Sequence, residues 1–293
     1  MSALAVEAAP GGQPVVPRRS RAVSWGNPVT YFVALVFIAI CLAPVAYIVL
    51  GGFRTNSQIT TDPSGLPSPW QVGNYLDVLS SGTFWGEFAN SALVALVTTV
   101  GVVGLGLMVS FALARYRFRG RGVLYSLFAA GLMFPMTVAI TPLYILIKDL
   151  GLVNSLAGVI VPQIAFGLPT TVIILVPFLK AIPEEIEEAA AIDGASRLGF
   201  FWRMVIPLSL PGVVTVGILA FVASWNSYLL PLFILNDPST FTLPLGVQAF
   251  SSQYSVDTAK VLAFTSLSML PALIFFSFFE RRIVGGLTGA VKG

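Results

Sequence analysis

Five carboxylates fall within ten residues, Glu184, Glu185, Glu187, Glu188 and Asp193, and in an unknown chain such a cluster first suggests acid–base or metal chemistry. Neither is supported by the other residues. There is no histidine and one cysteine, Cys41, which excludes a histidine-based triad, a Cys/His zinc site and an intrachain disulfide. Cys41 sits in an apolar run and is expected to be a small buried hydrophobe. The glycine-rich end, Gly285 to Gly293, lacks G-x-x-x-x-G-K-[ST] and follows no strand, so no nucleotide loop is expected. Catalytic, cofactor-binding and metal-ligating residues are therefore all expected to be absent from this chain. A different chemistry remains open. Gln163, Trp225, Asn226 and Tyr228 place amides and aromatic faces inside apolar runs, and such groups suit a neutral, hydroxylated solute along a path through a membrane. The duller reading of the same residues is that Trp225 packs between helices and Asn226 bonds across them.

The elements that carry these groups follow from composition. Of 293 residues, 56% are hydrophobic and only 10% charged, against roughly 25% charged in a soluble domain. A non-aqueous solvent accounts for the missing charge. A bilayer-crossing helix needs about 20 apolar residues, and six charge-free runs meet that length. They predict spans at about 29–50, 89–113, 123–147, 156–179, 206–235 and 261–279 within a membrane domain of 28–285. The runs are continuous rather than alternating, which argues against a β-barrel. The fold class expected is an all-α integral membrane bundle. Pro135 and Pro142 in one run, and Pro162, Pro169 and Pro177 in another, predict kinks.

Thirteen of the 16 basic residues fall on one side of this topology, leaving Arg54, Lys148 and Lys260 on the other. That asymmetry predicts that both termini are cytoplasmic. The first run is too long for a signal-peptide core and is read as a retained helix. Residues 1–27, rich in Ala, Gly, Pro and Arg, read as a disordered cytoplasmic tail; 286–293 form a second, C-terminal cytoplasmic tail. Two outer segments stand out, Phe53 to Gly86 and Asn236 to Ala259.

Residues 181–205 do not belong in lipid. Pro183 suits a helix start, with acidic residues in the first turn where the helix dipole favours them. Ile182, Ile186, Ala189, Ala190 and Asp193 share one side at helical spacing, and Glu184, Glu187 and Glu188 another. Gly194 permits a sharp exit. A second short helix is predicted over Ser196 to Val205, closed by Pro207. Such a rigid elbow at the cytoplasmic face is a lever that a partner can grip; an ordinary solvated loop helix has the same carboxylates.

The segment Glu188-Ala189-Ala190, then Asp193-Gly194-Ala195, with Phe201 and Ile206-Pro207, resembles the EAA loop of permease subunits in bacterial ATP-binding-cassette importers. Asn90-Ser91, the Ala114 to Arg121 run, Phe134-Pro135, Pro142-Leu143-Tyr144, Leu150 to Ser155, Trp225-Asn226, Pro231-Leu232 and the ending Gly286 to Gly293 are similar to its carbohydrate-uptake branch, in particular to the six-span, maltose-transporter-type permease. The resemblance implies a permease that binds no ATP and sits in the bacterial cytoplasmic membrane. It implies two ATPase subunits carrying ATP and Mg, a second permease that holds most sugar contacts, and an extracytoplasmic sugar-binding protein; nothing points to nucleic acid. Coupling to the ATPases would fall on Glu188, Ala189, Ala190, Asp193, Gly194 and Ala195. A non-sugar solute of the same transporter class stays open. A secondary carrier would be expected to place ionisable groups mid-span or to show inverted repeats. A membrane enzyme would be expected to give its carboxylates histidine or metal partners.

Overall fold

The computed structural model describes residues 27–250 and 256–291, with side chains through Phe278. The readings made for residues 1–26, for the side chains of Arg281 and Arg282, and for Lys292 lie outside that description. Among the described residues the chain is helical, in the order α1 (Pro28–Gly51), α2 (Asn56–Thr61), α3 (Gly73–Ser80), α4 (Gly82–Arg115), α5 (Arg121–Gly131), α6 (Met136–Asp149), α7 (Leu156–Lys180), α8 (Glu184–Ile192), α9 (Arg197–Phe200), α10 (Ile206–Leu208), α11 (Leu210–Trp225), α12 (Leu229–Ile234), α13 (Leu243–Gly246) and α14 (Thr258–Val291). Four helices, α1, α4, α7 and the Thr258–Phe278 part of α14, are long and apolar enough to cross a membrane; counting two bent pairs as one span each gives six.

Among the described residues, those up to Pro44 form one unit and those from Val45 onward another. The first contains most of α1, whose apolar side chains from Val29 to Leu42 are exposed. Cys41 is exposed with them, contrary to the expectation of burial. The cause is that this helix is apolar on every side and covers none of its sides within its own unit.

The second unit is built on α4 packed along α7, with α11 and α14 completing the bundle. Close approach of α4 and α7 depends on glycine: a Cβ at Gly106 would collide with Thr171, and one at Gly167 would lie 2.7 Å from Val102. In lipid, where apolar burial drives little, backbone proximity of this kind is the main source of helix association. Buried Leu107, Phe111, Leu175, Leu179 and Val216 extend the packing toward one end of the bundle.

Two predicted spans are bent. The run over 123–147 breaks at Leu132–Pro135, and α5 and α6 meet at 102°. Pro135 has extended backbone and serves as the N-cap of α6, because it cannot supply a donor to a continuing helix. The run over 206–235 is divided between α10, α11 and α12. Pro207 does not close the preceding short helix. A π turn over Phe201–Val205 shifts the register, with Ile206 N–H donating to Phe201 O, and the chain passes Pro207 and bends by 77° before α11. Ser209 sits at that bend and returns its hydroxyl to Val205 O at 2.6 Å.

Candidate functional site

α8 begins after Pro183, and Glu184, Glu185 and Glu187 occupy its first turn. It ends in a two-bond cap: Gly194 N–H donates to Ala191 O at 3.1 Å and Ala195 N–H to Ala190 O at 2.9 Å. That closure requires a left-handed residue after the helix, and Gly194 has φ +78°. Ser196 then opens α9 by accepting from Gly199 N–H at 3.1 Å. The two short helices thus form an elbow whose angle is set by one glycine.

The elbow is rooted in the bundle. Ile182, Ala190, Phe200 and Phe201 are buried in one cluster with Phe111 of α4 and Leu179 of α7, and Ile186 packs against it. Arg115, the last residue of α4, donates from Nη2 to Ile182 O at 2.6 Å, and its Nη1 lies 3.8 Å from Glu187 Oε2. Arg197 stacks over Tyr116 at 5.3 Å. Of the residues assigned to coupling, Glu188, Ala189, Asp193, Gly194 and Ala195 are exposed and Ala190 is buried. Ala189 and Asp193 were expected on the same side as Ile182 and Ile186. They point outward because the buried stripe is narrow and Asp193 is already the C-cap. Ile192, at 86% exposure, and Leu198 and Trp202 add an apolar outer surface beside the carboxylates. Composition alone gave no sign of Arg115; it lay within the quoted basic run, where each arginine looked alike.

The opposite end of α4 holds the 236–246 loop. Asn90 Nδ2 donates to Ser239 O and to Phe241 O, both at 2.9 Å, and Ser91 Oγ accepts from Leu243 N–H at 2.7 Å. Asn154 Oδ1 accepts from the backbone N–H groups of Asn236 and Asp237, each at 2.9 Å. The Asp237 carboxylate accepts from Ser239 N–H at 2.9 Å, and that bond holds its pKa below the usual value. Residues 251–255 of the second outer segment are outside the described residues. From Glu87 to Arg115, α4 spans 28 residues, about 40 Å at the helical rise. The elbow and the 236–246 loop therefore lie at opposite ends of a helix longer than a bilayer core of about 30 Å.

Between them lies a cavity of about 440 Å³ bordered by α4, α6, α7 and α11. Its polar lining is Thr98, Gln163, Thr170, Thr171, Ser224 and Ser227, and it includes Phe166 and Met136. Gln163 is 8% exposed; its Oε1 accepts from Ser224 Oγ at 2.6 Å and Thr98 Oγ1 at 3.2 Å. The other three residues expected on a path do not line this cavity. Trp225 is buried, donates from Nε1 to Ser268 O at 3.1 Å and stacks on Phe221. Asn226 closes α11 by donating to Val222 O at 2.9 Å. Tyr228 is partly exposed at the start of α12. Thr98 and Ser224 were missed because a lone hydroxyl in an apolar run is unremarkable until helices 60 or more residues apart in sequence are brought together.

Residues 74–284 match the family described as binding-protein-dependent transport system inner membrane component. The chain belongs to that family. The permease is 31% identical to the diacetylchitobiose uptake system permease of Streptomyces coelicolor, over 89% of this chain and 87% of that one. It is 35% identical to the trehalose transport system permease of Mycobacterium tuberculosis, over 90% and 98%. In fold it is similar to a chain in the crystal structure of a bacterial ABC transporter that imports the acidic polysaccharide alginate, with TM-score 0.75 at 23% identity, covering 90% of this chain and 99% of that chain. The permease is accordingly a multi-pass membrane transport subunit of an ABC importer rather than an enzyme.

Proposed function

We propose that this permease carries a mono- or oligosaccharide across the bacterial cytoplasmic membrane, driven through α8 by two partner ATPase subunits. In this reading the chain crosses the membrane six times, with both termini and the elbow on the cytoplasmic side. ATP and Mg stay on the ATPases. A second permease completes the path, and an extracytoplasmic binding protein delivers the sugar to the face formed by the 236–246 loop. Glu188, Ala189, Asp193, Gly194 and Ala195 form the coupling surface, and the buried Ala190 seats it on the bundle. The sugar names of relatives at more than 30% identity support the solute class. Trp225, Asn226 and Tyr228 serve the bundle around the path, and Gln163 alone of the four borders the central cavity.

The observation that carries this reading is the elbow itself: carboxylates and Ile192 face outward while Arg115 and the Phe111–Phe201 cluster fasten the other side to two long helices. A partner pulling on α8 moves α4 and α7 with it. The test is the side on which α8 lies. An Ile192→Cys variant, with Cys41→Ala, should react with a membrane-impermeant maleimide in inside-out vesicles and stay unlabelled in intact spheroplasts. Labelling from outside would invert the topology and end the proposal. Glu188→Ala should lower the yield of copurified ATPase.

A further inference from the structure

We propose that the connection from α4 to α5 binds an anionic phospholipid, with Arg117 and Arg119 on its phosphate and the open stripe of α5 along its acyl chain. The site is independent of the transported solute and of the side on which the elbow lies.

Charge is the first argument. No carboxylate occurs between Glu87 and Asp149, while Arg115, Arg117, Arg119 and Arg121 follow one another at every second residue. Two of the four are engaged by the protein: Arg115 donates to Ile182 O, and Arg121 Nη2 reaches back to Ala114 O at 3.5 Å. Arg117 and Arg119 are exposed and have no hydrogen-bond or ion-pair partner among the described residues. The carboxylates of the elbow are near enough for Arg115 to meet Glu187, yet neither Arg117 nor Arg119 takes one. Their counter-charge comes from outside the chain.

Position decides what supplies it. α4 ends at Arg115 and α5 begins at Arg121, and Gly120, with φ +88°, turns the chain directly into α5. At about 3.5 Å per residue, so short a connection can rise and return through no more than about 10 Å. On α5, Tyr125 and Phe128 pack toward Leu113, Val172 and Val176. Val123 at 67% exposure, Leu127 at 63% and the exposed Ala130 form a second, open stripe at helical spacing. In a membrane protein such a stripe is covered by acyl chains. Val123 follows Arg121 by two residues, so the free arginines stand in or beside a headgroup layer of about 5–8 Å, too close to lipid to be reserved for a soluble partner. Phe118, exposed between them, adds an aromatic side chain of the kind found on the apolar face of interfacial segments.

The third argument is chemical fit. A guanidinium is a weakly hydrated planar fork that meets phosphate oxygens two at a time. A choline or ethanolamine headgroup carries its own cation beside the phosphate; a glycerol headgroup does not, and leaves the full negative charge to the arginines. Attraction of one basic residue to an anionic lipid surface amounts to about fivefold in occupancy.

The test places the complete transporter in phosphatidylcholine nanodiscs, with a bimane fluorophore on Val123→Cys in a Cys41→Ala background. Brominated phosphatidylglycerol should quench the fluorophore as if enriched about 25-fold over brominated phosphatidylcholine, about fivefold for each free arginine. Arg117→Gln combined with Arg119→Gln should bring the two lipids near parity, and the corresponding pair of Lys substitutions should keep most of the preference. If the double Gln variant does not insert, each single Gln variant should lower the preference about fivefold. The same fluorophore on Leu93→Cys, an exposed position toward the other end of α4, should show no preference. Parity with both arginines intact, or an equal preference at Leu93→Cys, overturns the site. Quenching by neither lipid would show that a protein subunit covers α5. Release of the phosphatidylglycerol by inorganic phosphate at constant ionic strength would show a site for the free anion. Loss of the ATPase subunits from the Gln variant would show that the arginines face those subunits. Each of these three results also overturns the lipid as occupant.

Discussion

Arg115 offers the sharpest test of how the elbow is fixed. Its side chain is 4% exposed, and it makes two contacts with the elbow: a hydrogen bond to Ile182 O and a 3.8 Å approach to Glu187. These differ in weight. Glu187 is 38% exposed, so solvent screens that pair and leaves it about 0–1 kcal/mol. A hydrogen bond from a charged donor to a carbonyl contributes about 1.5–3 kcal/mol. Arg115→Met keeps much of the apolar stem and removes both contacts. It also removes Arg115 Nε, which is buried without a partner, and that gain offsets part of the loss. The net cost is then about 1.5 kcal/mol, or about tenfold in the ratio of docked to undocked elbow. In proteoliposomes, Arg115→Met should insert normally, lose about tenfold in sugar moved per ATP, and become protease-sensitive within 181–205. Glu187→Gln should change both readouts less than about threefold, since it touches only the screened pair. Equal losses in the two variants, or wild-type coupling and protease resistance in Arg115→Met, would refute the assignment of the fastening to the Ile182 carbonyl.

Three further outcomes follow from the same geometry. A Cβ at Gly194 would meet open space, so the cost of Gly194→Val lies wholly in its φ of +78°; at about 1–2 kcal/mol or above it should open the elbow and abolish uptake with insertion retained, while Gly194→Asn, which tolerates this conformation, should keep substantial uptake. Gly106→Leu should lower the melting temperature in detergent far more than Gly104→Leu, because a Cβ at Gly106 strikes Thr171 and one at Gly104 meets nothing; similar melting of the two would count against the glycine-dependent seam. The Asp237 carboxyl is held below its usual pKa by Ser239 N–H, so its contribution to loop order is complete above the ordinary carboxylate range and is lost as pH falls through the lowered folded value. Exchange protection of the Ser239 amide, corrected for intrinsic rate, should therefore persist at pH 5–7 and fall only as pH drops below the ordinary carboxylate range; a flat profile would remove the carboxylate from that turn.

How much of this was legible beforehand depends on range. The helical segments were visible because lipid demands long charge-free runs, and α8 was visible because Pro183, three first-turn glutamates and Gly194 are local signals that act within one or two turns. The bends were less visible. Proline marks where a donor is missing, yet whether the chain breaks, as at Pro135, or passes through on a π turn, as before Pro207, depends on what neighbouring helices supply. Trp225 and Asn226 have suitable side chains for a sugar path, but helix rotation decides which face they take, and here one meets Ser268 and the other ends its own helix. The Gln163–Thr98–Ser224 cluster joins three helices, and nothing within any one of them announces the others.

α4 unites these observations into one mechanical element. Its first turns hold the outer loop through Asn90 and Ser91, its middle contributes Thr98 to the cavity, and its last residue fastens the elbow. The Gly106–Thr171 and Gly167–Val102 approaches leave no slack between it and α7, so the two must tilt together rather than slide. α11 is placed differently: it joins the elbow through the bend at Ser209, where a side-chain hydroxyl shares the Val205 carbonyl. Under the proposed coupling, a displacement of α8 would reach α4 and α7 through the packed cluster at Phe111, Leu179 and Phe201, and α11 through the bend at Ser209.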